Sequence, residues 1–64
     1  MRIDQYLWCT RFFKSRNLAS NACKKGQVTI NGQIVKPSKE VLLFDFIGIR
    51  KNQRWYQIEA IAIP

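Results

Sequence analysis

Apolar positions in this chain change their spacing part-way along. Behind Asp4 runs "QYLWCTRFFK", a stretch of helix-compatible residues, which predicts a helix from about residue 4 to residue 14. Asp4 can accept hydrogen bonds from first-turn N–H groups, and its charge suits the positive end of the helix. At about 100° per residue, Tyr6, Trp8, Cys9, Phe12 and Phe13 share one broad arc, which places them in the core. Arg11 and Lys14 fall on the opposite side, with Leu7 as an apolar neighbour that fits this division least well. Ser15 then serves as the N-cap of a second helix, "RNLASNACKK". Leu18, Ala19, Ala22 and Cys23 make its apolar face, while Arg16, Ser20 and Lys24 follow one another at four-residue steps along another. Lys24 and Lys25 suit the negative helix end, and Gly26 supplies a left-handed residue that stops the helix.

Beyond Gly26 the spacing shortens to two. "QVTI" puts Val28 and Ile30 on one face, and Asn31-Gly32 is a strong hairpin turn because both residues tolerate positive φ. "QIVKPS" reads as the return arm, stopping at Pro37. A third strand is expected over residues 46 to 50 after a turn at Phe44–Asp45. "KNQR" turns the chain again, and "WYQIEAIAI" forms the last strand, alternating through Tyr56, Ile58 and Ala60. The pattern predicts an α+β fold over 1–64 as a single domain: two short N-terminal helices on a small antiparallel sheet of about four strands.

Charge changes this picture from a fold to a function class. Residues 1–39 hold eight basic residues and one acid, and residues 40–64 hold three of each. The whole net charge of +7 therefore lies in the first half. Such a one-sided field attracts polyanions, nucleic acid foremost. The same inventory argues against an enzyme. There is no histidine to serve as base or ligand, the four acids are scattered, and no glycine-rich phosphate loop is present, so neither cofactor nor metal is expected. Cys9 and Cys23 lie in apolar segments and read as small buried thiols, which suits a reducing, cytoplasmic setting. No signal peptide or membrane span is expected from the hydropathy pattern.

A helix start bearing Ser15 and Arg16 suits phosphate, combining the helix dipole, a hydroxyl and a guanidinium fork. Arg11 and Lys14 adjoin it, Lys24 and Lys25 close the same helix, and Lys36 and Lys39 flank Pro37-Ser38 after the first hairpin. Any one of these lysines alone is an ordinary solvated charge; together, on one half of a small domain, they make a surface. With Trp8, Phe12 and Phe13 assigned to the core, the expected recognition is led by phosphate and shape rather than by base stacking.

The motifs are also specific. "RIDQYL", then "SRNLASNACKKGQVTINGQIVKPSKEV", resembles the RNA-binding domain named after small-subunit ribosomal protein S4, also called the alpha-L motif. Arg2, Asp4, Leu7, Ser15, Arg16, Ala19, Gly26, Val28, Ile30, Asn31, Gly32, Lys36, Pro37 and Ser38 match its pattern in order. Within that family, "LWCTRFFKSR" most resembles the small stand-alone branch typified by the bacterial heat-shock protein of fifteen kilodaltons. The resemblance implies binding of structured RNA, ribosomal RNA of the large subunit and transfer RNA, on stalled subunits that carry a nascent chain. It implies an RNA face of Arg2, Arg11, Lys14, Ser15, Arg16, Lys24, Lys25, Lys36 and Lys39. It also implies structural roles for Asp4, Gly26, Asn31 and Gly32, with Asp4 organising the start of helix one and pairing with a neighbouring arginine. The expected state is a monomer without membrane contact. Two departures stand out: Phe44 precedes Asp45 where the family usually has Gly, so a different turn is expected there, and this sequence stops at "AIAIP", where relatives of this branch often continue into a charged extension. The alternatives are an S4-like docking module of a larger RNA-modifying enzyme, or a basic module for protein or membrane with no RNA role.

Overall fold

A computed structural model describes residues 1–63. The elements run α1 (Ile3–Cys9), α2 (Arg16–Lys24), β1 (Val28–Ile30), β2 (Gln33–Ile34), β3 (Phe46–Lys51) and β4 (Arg54–Glu59). The four strands form one antiparallel sheet in the order β2-β1-β3-β4. The α+β expectation holds: two helices pack on one face of a four-stranded sheet.

Period-two alternation explains the sheet. Val28 pairs with Ile49 and Ile30 with Ile47, and all four side chains are buried toward the helices. Thr29 pairs with Gly48 on the outer face. The helices contribute Ile3, Tyr6, Leu7, Ala19, Ala22 and Cys23 to the same core, closed by Val41 and Ala60. Ala19 and Ala22 are both buried, consistent with the close approach of the helices that their size permits.

The turns follow local chemistry. Asn31 (φ 53°) and Gly32 (φ 85°) are both left-handed, as a two-residue hairpin turn requires. The Asn31 side chain also ties this turn to the start of β3: its Nδ2 donates to Asp45 Oδ1 at 3.2 Å, and Phe46 N–H donates to its Oδ1 at 3.0 Å. Asn52 and Gln53, with φ of 55° and 64°, make the corresponding turn between β3 and β4. Phe44 stands at φ 70°, a left-handed position filled by a residue with a large side chain, in the turn before Asp45.

Several expectations need correction. The first helix ends at Cys9 rather than near residue 14. Its end is a Schellman motif: Phe12 N–H donates to Leu7 C=O, Arg11 N–H donates to Trp8 C=O, and Arg11 takes φ 66°. Phe12 and Phe13 therefore lie outside the helix and do not share its phase. Its core face is Ile3, Tyr6 and Leu7, and Leu7 is fully buried. Trp8 lies roughly 150° around the helix from the centre of that face, at 100° per residue, and is 45% exposed. Cys9 is exposed as well, so only Cys23 is the buried thiol expected. Arg2 holds the N-cap position, and Asp4 sits in the first turn, where its carboxylate accepts from Gln5 N–H. On α2, Ala19, Ala22 and Cys23 are buried as expected, but Leu18 is half exposed. β2 is only two residues long, because the chain then leaves the sheet to meet the start of α1. Along β4, Ile58 is half-buried and Tyr56 is exposed.

Candidate nucleic-acid interface

The first helix is too short to satisfy its own ends, and its solution places two of the lysines. Ile3 N–H donates to Lys39 C=O at 2.8 Å, and Asp4 N–H donates to Pro37 C=O at 3.3 Å. The turn itself closes through Lys39 N–H to Lys36 C=O at 3.0 Å. Arg2 forms a bridge with Glu40, and the N-terminal ammonium pairs with the Glu40 carboxylate at 2.6 Å. Backbone bonding thus docks the Lys36–Lys39 turn against the start of α1, with both lysine side chains exposed.

Asp4 organises the arginines there. Its carboxylate is buried. Arg2 Nη2 donates to Oδ2 at 3.0 Å, Arg16 Nε lies 3.6 Å from the same oxygen, and Gln5 N–H donates to Oδ1 at 2.7 Å. One acid therefore holds the N-cap arginine of α1 and the first arginine of α2. Both arginine side chains remain nearly half exposed, and a guanidinium has five N–H donors, so each can bond a phosphate while still paired with Asp4. Two positive charges against one negative leave the spot net cationic.

Ser15 is the N-cap of α2: its Oγ accepts from Leu18 N–H at 3.1 Å. That contact sets the direction of α2 and carries Arg16 to Asp4. Arg11 and Lys14 stand in the connection before it. Together with Trp8, Cys9 and Phe13 they line a cleft of about 450 Å³. Lys14, which lines the cleft, is followed directly by Ser15 and then by Arg16, which pairs with Asp4.

Lys24 and Lys25 are exposed at the far end of α2, eight residues and roughly 12 Å from Arg16 at 1.5 Å per residue. Gly26 follows them at φ 73°. A second Schellman motif forms there, with Gln27 N–H donating to Ala22 C=O and Gly26 N–H to Cys23 C=O. The structure thus brings Arg2, Arg16, Lys36 and Lys39 together around α1, adds Arg11, Lys14 and Ser15 at the helix corner, and sets Lys24 and Lys25 apart from them.

Sequence reasoning missed Lys51, which belongs to the charge-balanced half. From the end of β3 its Nζ donates to Phe12 C=O at 2.6 Å and lies 5.4 Å from the Phe13 ring centroid. Only the fold brings this cation to the helix corner. Trp8 was missed as a surface residue for the reason given above. Cys23 has no part in the site: burial first, then the neighbouring Asp4 carboxylate, push its thiol from 9.0 up to about 11. Among the described residues no cluster of metal-ligating side chains occurs, and no helix is long and apolar enough to cross a membrane.

Comparison with known proteins agrees with this architecture. The family model of the S4 domain matches residues 1–47. The RQC P-site tRNA stabilizing factor of Helicobacter pylori is 45% identical over 64 residues, an alignment covering all of this chain and 76% of that protein. Heat shock protein 15 of Escherichia coli is 40% identical over 64 residues, covering 97% of this chain and 48% of that protein. The chain thus spans about half the length of the heat shock protein 15 relatives. The trimeric structure of Vibrio cholerae Heat Shock Protein 15 superimposes with a TM-score of 0.95 at 39% identity, covering all of this chain and 65% of that one. With the helix pair, the sheet and most of its length matched, the chain belongs to the S4 domain family.

Proposed function

We propose that this chain is a non-catalytic RNA-binding factor of the large ribosomal subunit. It acts on stalled subunits that still carry a nascent chain on transfer RNA. The observation that carries this reading is the Asp4 arrangement, which presents the N-cap arginine of α1 and the first arginine of α2 beside two docked lysines. Rigid guanidinium groups at fixed spacing suit the phosphates of folded RNA better than mobile lysines alone. The names of the relatives support the target. One set is named for stabilising transfer RNA at the P site and the other as heat shock proteins, and neither set is named as an enzyme. A single copy of the chain occupies the RNA in this reading, in a cytoplasmic setting, and sedimentation equilibrium of the unbound protein checks for the monomer.

The test is co-sedimentation with purified ribosomal subunits. Retention on large subunits bearing peptidyl-tRNA, weaker retention on vacant large subunits and none on small subunits is the expected order. Equal retention on large and small subunits contradicts a large-subunit target. Equal retention on loaded and vacant large subunits contradicts the stalled complex as the specific one.

A further inference from the structure

The helix corner holds a feature that a purely phosphate-led interface does not need. Trp8 is 45% exposed although the core face of α1, formed by Ile3, Tyr6 and Leu7, is complete without it. Its indole lines the cleft of about 450 Å³ with Phe13, and the polar lining is cationic: Arg11 and Lys14, with no acid. That volume lies at the small end of pockets that take organic ligands, about 300–1,000 Å³, so it admits one flat group rather than a helix or strand. Phe13 already has the Lys51 ammonium 5.4 Å from its ring centroid. Trp8 is the ring left to a ligand. Arg11 reaches the cleft from the left-handed position that ends α1.

We infer that this cleft takes one unpaired nucleotide of the bound RNA. Its base stacks on the Trp8 indole, and Arg11 and Lys14 hold its phosphate. Aromatic walls beside two cations and no acid suit an occupant that is flat, aromatic and anionic at one edge, and Lys14 of the cleft stands two residues before Arg16, which pairs with Asp4. The inference rests on the RNA reading and narrows it: recognition at the corner includes stacking, contrary to the expectation from sequence. Stacking on an aromatic side chain tolerates any base, so it adds affinity for an extruded nucleotide without fixing its identity.

The experiment uses the Trp55→Phe protein, in which Trp8 is the sole tryptophan, titrated with a five-residue adenylate oligoribonucleotide and with the same oligomer abasic at its centre. The intact oligomer quenches Trp8 emission and, by fluorescence anisotropy of a fluorescein-labelled strand that serves for every variant, binds roughly tenfold more tightly than the abasic one. Trp8→Ala removes that difference, and Trp8→Phe restores most of it. Equal affinity for the two oligomers, equal affinity of Trp8→Ala and its parent, or no binding of either oligomer overturns the stacking inference. Ribosomal subunits added to the same variants separate the two readings. Binding of subunits without discrimination between the oligomers removes the stacked nucleotide and leaves the RNA reading standing, while binding of neither removes both.

Discussion

Arg16 on the second helix lies 3.6 Å from the buried carboxylate of Asp4 on the first, an oxygen that also accepts from Arg2. This contact joins stability to function, because the acid that fixes the helix pair also aims two of its proposed phosphate ligands. Removing Asp4 leaves two arginines without their partner at a buried edge. Asp4→Ala is expected to cost about 2 kcal/mol, less than a fully buried pair because both guanidinium groups are partly solvated. Urea denaturation followed by circular dichroism checks it. Arg16→Ala should cost under about 1 kcal/mol and act mainly on RNA affinity.

Arg11 predicts the opposite sign for the two properties. At φ 66° it terminates α1 in a conformation that suits glycine. Arg11→Gly should therefore raise stability by about 1 kcal/mol and weaken RNA binding several-fold through the lost charge. Thermal melts and subunit pelleting of the same protein measure the two effects. A variant that loses both properties places Arg11 in the fold rather than at the interface.

Asn31 combines a left-handed backbone with two side-chain bonds to Asp45 and Phe46. Asn31→Gly keeps the turn and loses the bonds, so it should destabilise by about 1–2 kcal/mol. Gly32→Ala, at φ 85° with open space around it, tests the turn alone through backbone strain.

The two thiols should react differently. Cys9 is exposed, whereas Cys23 is buried with its thiol pushed up to about 11. Iodoacetamide at pH 8 on the native protein should label Cys9 alone, and both only after unfolding, as read by mass spectrometry. The folded thiol holds its proton more tightly than the unfolded one. Its contribution to stability is therefore full below pH 9 and is lost as pH rises toward about 11.

Much of this molecule is legible from residue spacing. Alternation of Val28 with Ile30, the Asn31-Gly32 turn and the stop at Gly26 are local signals whose chemistry acts within a few residues. The end of the first helix is not legible, for a physical reason. A left-handed arginine ends it, no glycine announces that end, and the apolar pattern runs on through Phe12 and Phe13 beyond a helix that stops at Cys9. Leu7, the residue that fitted the pattern worst, was the sign that the phase was rotated. The clustering of basic residues is visible as composition, but the docking of Lys36–Lys39 on α1 and the arrival of Lys51 at the corner depend on contacts between residues far apart in the chain.

If the helix pair and its corner hold RNA phosphates, large-subunit binding must weaken steeply with salt and lose part of that dependence when the basic residues are removed. Affinity measured across rising salt for the parent protein and for a variant with Arg11, Lys14 and Arg16 each changed to Gln gives two slopes of log affinity against log salt. Each phosphate contact contributes roughly 0.7 to 0.9 to that slope, so the account predicts a variant slope shallower by about 2 to 3, with a native circular dichroism spectrum. An unchanged slope in a natively folded variant contradicts it.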